Sequence, residues 1–166
     1  MKRIFLELAL YQKWANDRFR KNLKNVEFTK LKENITPYGN IRELVAHIMG
    51  AVELWMKRLE GESPKSIRSG ESYNDWQSLE KDWLEMDNKL IELARNLDEQ
   101  EFSKRIKYTS TEGYNLETSM ENILIQLLTH HQSYHRGQIG MAIREQKLPP
   151  VQETDYIFYV YDQNKN

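Results

Sequence analysis

The chain has 166 residues, 24 basic and 25 acidic side chains, a net charge of −1 and no cysteine. This balanced charge argues against nucleic-acid and anionic-membrane partners. The lack of cysteine excludes disulfides, thiolate metal ligands and a cysteine nucleophile. The length predicts a single domain over residues 1–166. The apolar run after Lys2 and Arg3 stops at Glu7, so we expect a cytoplasmic protein without a signal peptide or membrane span.

Two amphipathic helices are predicted in the first third of the chain. The first covers residues 3–25, where apolar side chains recur at spacings of three or four. Residues 36–40 read as a loop in which Asn40 signals a helix start. The second helix covers residues 41–60, and Gly61 ends it. The predicted inner face of the first helix consists of Ile4, Leu8, Tyr11, Ala15, Phe19 and Leu23.

The remaining elements follow a polar loop at residues 61–73. A third helix is predicted over residues 74–97, and a small hairpin or extended loop surrounds Gly113. A fourth helix, residues 119–146, would begin with Thr118 as its N-cap. We expect the aromatic tail at 155–161 to pack across the other helices. The predicted inner side of the fourth helix consists of Ile123, Leu124, Leu127, Leu128, His131, His135, Ile139 and Ile143.

Together these elements predict an all-α protein. Four long amphipathic helices bury their apolar faces best in a four-helix bundle. The small hairpin or extended loop before the last long helix is too short to form a sheet core.

Three of the four histidines lie in one short stretch, residues 130–135. His131 and His135 are four residues apart, so on a helix they lie roughly 40° apart on one face. His47 lies alone in the apolar second helix. Two imidazoles from one helix and one from another make a three-histidine set with an open position, which is typical of catalytic rather than structural zinc-type sites.

A structural role for these histidines is the alternative. A histidine pair at this spacing also arises by chance, and a single histidine on an apolar face is often a hydrogen-bonded core residue. Convergence favours a metal, because all three lie on or beside inner faces and one shared cation would satisfy them. His130 points away from this site and reads as a surface or interface residue. The sequence contains neither the His-Glu-x-x-His motif of zincins nor a Glu-x-x-His pair of di-iron bundles.

Several segments resemble one known family. Residues 11–19 read Tyr-Gln-Lys-Trp-Ala-Asn-Asp-Arg-Phe, an apolar run at 44–48 contains His47, and residues 131–138 read His-Gln-Ser-Tyr-His-Arg-Gly-Gln. Leu-Pro-Pro at 148–150 and Asp-Tyr at 155–156 also fit the pattern. On these motifs the chain resembles the DinB family of metal-binding bundle proteins, along essentially its whole length.

This resemblance implies a bundle of unusual connectivity, a homodimer and a divalent metal ion, commonly nickel or zinc. Carried over residue by residue, the ligands are His47, His131 and His135. The resemblance also favours a thiol-dependent S-transferase that uses an external thiol such as bacillithiol on a small-molecule substrate, since the chain has no cysteine. Two alternatives are a metal-dependent hydrolase and a non-catalytic metal-binding or stress-response protein.

Several side chains near the histidines have two alternative roles. Gln138 shares the face of His131 and His135, so it would contact a ligand or make an ordinary helix hydrogen bond. Arg136 lies off that face, which favours a salt bridge or dimer contact. Glu43 would orient His47 or be a solvated charge, and Asn16 would cap or bridge helices. Three aromatic residues are assigned to the core rather than a pocket: Tyr11, Trp14 and Trp55.

Overall fold

The computed structural model describes residues 1–34, 37 and 39–165. It confirms the predicted all-α bundle with a small antiparallel hairpin. Strands β1 (Arg105–Thr109) and β2 (Asn115–Ser119) form the hairpin. The helices are α1 (Lys2–Leu23), α2 (Phe28–Leu31), α3 (Ile41–Leu59), α4 (Trp76–Asn96), α5 (Met120–Ile125), α6 (Gln132–Glu145) and α7 (Tyr156–Gln163).

Helix α3 begins and ends where its sequence signals lie. The side chain of Asn40 accepts a hydrogen bond from the backbone N–H of Glu43, which satisfies one free amide of the first turn. At the other end Gly61 has φ +90°, a left-handed conformation that glycine adopts without a steric penalty. Thr36 and Tyr38, in the predicted loop before α3, lie outside the described residues.

The predicted fourth helix is wrong in two respects. Thr118 is not its N-cap, because Thr118 pairs with Ile106 in the hairpin and the side chain of Ser119 accepts the hydrogen bond from the N–H of Asn122. The helix is also not uniformly α-helical, because a π-helical turn, Gln126–His131, joins α5 to α6. The backbone stays helical through both junctions, so these three segments form one long element.

The core lies where α1 packs on α4 and α3 packs on both α4 and α6. The predicted inner face of α1 is wrong at Ile4, which is 59% exposed, whereas Phe5 and Ala9 are buried. Polar Gln12 and Asn16 are also buried on this face. The inner face of α1 is therefore partly polar. A prediction from apolar residues alone placed this face incorrectly.

The aromatic tail forms α7, which packs on α1 as expected. Tyr159 is buried, and its ring contacts the rings of Tyr11 and Trp14. An ion pair of 2.7 Å between Arg18 Nη2 and Asp162 Oδ2 adds a polar contact between the two helices. None of the helices in the described part of the chain has the length and apolar character needed to cross a bilayer.

Candidate metal centre

The fold brings together the three histidines that the sequence singled out. His47 lies in α3, His131 ends the π turn, and His135 lies one turn later in α6. One candidate ligand atom from each residue lies within 4.8 Å of the others. The ring centroids are 5.0, 4.4 and 4.5 Å apart for the pairs 47–131, 47–135 and 131–135. The three side chains therefore form one cluster that could hold a metal ion.

The ring nitrogens suit a shared cation. His47 Nε2 and His131 Nε2 are 3.2 Å apart. Two nitrogen ligands of a tetrahedral zinc ion lie about 3.3 Å apart, given Zn–N bonds of about 2.0–2.1 Å. Among the described residues, the other ring nitrogen of His131, Nδ1, has no hydrogen-bond partner, and Nε2 is the nitrogen that faces His47.

The environment favours the neutral form of two of the imidazoles, those of His47 and His131. Burial lowers the pKa of His47, and the proximity of His135 lowers it further. Burial, with contributions from His135 and His47, lowers the pKa of His131 to about 3. Since metals bind the neutral imidazole, these two side chains are in the ligand form at neutral pH.

His135 is oriented by its own helix. Its Nδ1 lies 2.6 Å from Oε1 of Gln138, one turn further along α6. An amide oxygen only accepts hydrogen bonds, so Nδ1 carries the proton and donates it. The lone pair of His135 is then on Nε2. A partner that fixes the tautomer in this way is characteristic of metal-ligating histidines.

The cluster has three donors and an accessible side. All three histidines are half-buried, and within the described ranges no carboxylate or fourth imidazole joins the group. Tyr134, whose ring lies 5.0 Å from that of His135, is 62% exposed. A three-donor set leaves a coordination position for an external molecule.

Two polar neighbours of the histidines do not take part. His130 is exposed, in agreement with its assignment to the surface. Glu43 accepts a 2.8 Å hydrogen bond from the backbone N–H of Gly70. The carboxylate of Glu43 therefore holds the loop before α4. Neither of its two predicted roles, orienting His47 or being a solvated charge, accounts for this contact.

The predicted core aromatics are half-buried and contact other parts of the chain. The hydroxyl of Tyr11 donates to the carbonyl of Thr154, and Trp14 Nε1 donates to Asp162. Trp55 packs on Tyr108 of the hairpin. Tyr11 also lines a cavity of about 530 Å³ between α1, α6 and residues 150–155. Tyr11 therefore contributes to a pocket as well as to packing, and the three histidines do not line that pocket.

A buried polar network beside the cluster was missed. Arg136, predicted to make a salt bridge or dimer contact, is only 3% exposed, and its Nη1 donates to Gln12 Oε1 and Asn16 Oδ1. Asn16 bridges helices, as one expectation had it, because its amide donates to Asp87 of α4 and Gln132 of α6. The available signal was the four-residue spacing of polar side chains along α1, namely Gln12, Asn16 and Arg20.

A helical bundle with three converging imidazoles defines a class of candidate metal-binding proteins. The family model described as "DinB family" matches residues 1–165. The chain therefore belongs to the DinB family, as its motifs indicated. A comparison with curated proteins found no match.

Proposed function

We propose that His47, His131 and His135 bind one divalent metal ion, nickel or zinc. The observation that carries this proposal is the convergence of three ring nitrogens within 4.8 Å on two packed helices. The depressed pKa of His131 and the hydrogen bond that orients His135 support it. Membership of a metal-associated family points the same way.

We further propose that the bound metal serves an S-transferase reaction with an external low-molecular-weight thiol, of the bacillithiol type. A divalent cation at the cluster would favour the deprotonated form of a thiol at its open position. The thiol must come from outside, because the chain contains no cysteine. In the reaction a carbon–sulfur bond forms, the thiol proton passes to solvent, and the leaving group of a small-molecule electrophile departs with its bonding electrons.

Within this proposal the chain positions and protects the ligands. Neutral His47 and His131 offer lone pairs without first losing a proton. Gln138 holds the His135 ring at one rotation. Exposure on the side of Tyr134 gives the thiol and the electrophile a route to the open position. From the family resemblance we also propose a homodimer, and from the early end of the apolar run at Glu7 a cytoplasmic location.

A non-catalytic metal-binding or stress-response role is the competing proposal. One observation favours it: two cavities, of about 530 and 660 Å³, are lined by residues other than the three histidines. A metal ion bound by the three histidines, without a substrate pocket beside it, would act mainly by joining α3 to α6. The two proposals share the metal and differ in whether an external thiol is consumed.

A thiol-conjugation assay separates the two. Protein loaded with nickel or zinc is mixed with bacillithiol and chlorodinitrobenzene, and the conjugate is followed by absorbance. We expect conjugation above the spontaneous rate, loss of that rate in His131→Ala, and its retention in His130→Ala, which alters an exposed neighbour. A protein that holds stoichiometric metal but gives only the spontaneous rate with varied thiols and electrophiles would favour the non-catalytic role.

A further inference from the structure

The π turn sets how the long C-terminal helical element is rotated. A π-helical turn accommodates one extra residue, because its hydrogen bonds span five residues instead of four. Each residue of an α-helix adds about 100° of rotation. Leu124 and Ile143 are nineteen residues apart and would therefore lie about 100° apart on an ideal α-helix. Both are fully buried, and with one extra residue in the π turn they lie on nearly the same side of the helical element.

The turn requires a hydrogen-bond donor from elsewhere in the protein. In an α-helix each carbonyl accepts a hydrogen bond from the amide four residues later. At the end of a π turn that amide already donates to the preceding carbonyl, so one carbonyl is left without an amide partner. Leu128 lies in the π turn and is fully buried. Its carbonyl accepts a 2.5 Å hydrogen bond from Nε2 of Gln12, a side chain of α1. Gln12 thus supplies the donor that a buried carbonyl needs.

The same glutamine also contacts the helix on the far side of His131. Gln12 Oε1 accepts a 2.5 Å hydrogen bond from Arg136 Nη1, and Gln12 itself is only 1% exposed. His131 therefore lies in the chain between Leu128 and Arg136, and the side-chain amide of Gln12 hydrogen-bonds to both of these residues. A buried amide has to use both its donor and its acceptor, and this arrangement uses both.

We propose that Gln12 is a positioning residue for the histidine cluster. By bonding to Leu128 O and Arg136 it fixes the π turn, and so the rotation at which His131 faces His47. A relaxation of the turn to α-helix would rotate one half of the element by about 100° and separate the two rings. The consequence for metal affinity rests on the proposed function, whereas the ring geometry does not.

The metal-free protein provides the first test. Gln12→Glu keeps the shape and the acceptor for Arg136 but removes the donor to Leu128, and Gln12→Met removes both at similar volume. Arg58→Met is the matched control, because Arg58 is also a buried polar side chain but contacts Trp55 and Tyr108 instead of this network. NMR would measure the nuclear Overhauser contact between the His47 and His131 rings, whose centroids are 5.0 Å apart. Amide exchange at residues 126–133 would be measured in the same samples.

We expect both Gln12 variants to lose the ring contact and to exchange these amides at least about tenfold faster. Arg58→Met should keep wild-type values even if its free energy of unfolding falls. If Gln12→Glu does not fold, Gln12→Met decides the outcome. Retention of the ring contact and of slow exchange in a folded Gln12 variant would overturn the proposal.

Cobalt substitution then tests the consequence for the metal. We expect Co²⁺ to bind wild type and Arg58→Met with the same visible absorption spectrum. The Gln12 variants should bind about tenfold or more weakly and with an altered spectrum. A wild-type protein that binds no Co²⁺ would contradict the proposed function, and the ring contact in the metal-free protein would still decide the role of Gln12.

Discussion

The imidazole of His135 and the amide of Gln138 form the best-defined contact at the cluster, at 2.6 Å between Nδ1 and Oε1. The pair lies on successive turns of α6, so the helix itself sets the geometry. The contact selects the Nδ1–H tautomer and leaves the lone pair of His135 on Nε2. In the proposed site Gln138 would therefore orient one ligand without itself coordinating the metal.

Replacement of this amide should weaken metal binding. We expect Gln138→Leu to bind Zn²⁺ roughly tenfold or more weakly, because the His135 ring loses the acceptor that fixes its tautomer. Gln138→Glu retains an acceptor at the same place and should stay close to wild type. Competition titration against a chromophoric chelator measures both affinities. Equal affinity of Gln138→Leu and wild type would show that the contact does not orient a ligand.

The sequence was informative about single residues where spacing determines direction. His131 and His135 are four apart and Gln138 is three further on, so their shared face follows from helix geometry. Arg136 was misassigned because arginine is mostly a surface residue. Its burial depends on acceptors from α1, Gln12 Oε1 and Asn16 Oδ1, and no pattern within α6 reveals these partners.

At the scale of elements, the long helical segment before and after His131 shows how a periodic pattern can mislead. The predicted inner side runs from Ile123 to Ile143, and over twenty residues an ideal α-helix leaves these two about 160° apart. With one extra residue in a π turn the separation falls to about 100°. The angular separation along the predicted inner side therefore indicated an extra residue. The position of that residue in the helix depends on a contact with Gln12 of α1.

The start of α5 was misplaced for a similar reason. Thr118 and Ser119 are adjacent hydroxyl residues, and either can cap a helix. Pairing of Thr118 with Ile106 keeps Thr118 in the strand, which leaves the cap to Ser119. By contrast, Asn40 was placed correctly, because its side chain accepts the hydrogen bond from the backbone N–H of Glu43.

At the scale of the whole molecule, packing of α3 on the π turn and α6 brings together His47 and His131, which are 84 positions apart in the chain. The helical periodicity predicted the bundle, and the inner faces indicated which histidines point inward. Rotation of each helix within the bundle had to come from the structure, because Gln12, Asn16 and Arg136 are buried polar groups whose partners lie on other helices.

The buried imidazoles also make the stability of the metal-free protein depend on pH. The pKa of His131 is lowered to about 3 in the folded state, while an unfolded histidine titrates near 6.5. Below about pH 6.5 the unfolded chain therefore binds more protons, and stability is lost as the pH falls towards about 3. We expect the free energy of unfolding to fall by about 1–2 kcal/mol between about pH 7.5 and pH 5 from His131 alone.

Urea unfolding in the presence of a chelator measures this dependence. His131→Asn, which cannot titrate in this range, is the matched comparison and should show a shallower fall over the same pH interval. His130→Asn should behave like wild type, because that residue is exposed. The same slope for wild type and His131→Asn would mean that the His131 ring is not held in its neutral form.

The metal content of the purified protein tests the central claim most directly. Protein prepared without added metal is analysed by inductively coupled plasma mass spectrometry, alongside His131→Ala and the control His130→Ala. We expect about one nickel or zinc ion per chain in wild type and in His130→Ala, and essentially none in His131→Ala. A wild-type protein without stoichiometric metal even after incubation with Ni²⁺ or Zn²⁺, or a His131→Ala protein that holds as much metal as wild type, would contradict the three-histidine site.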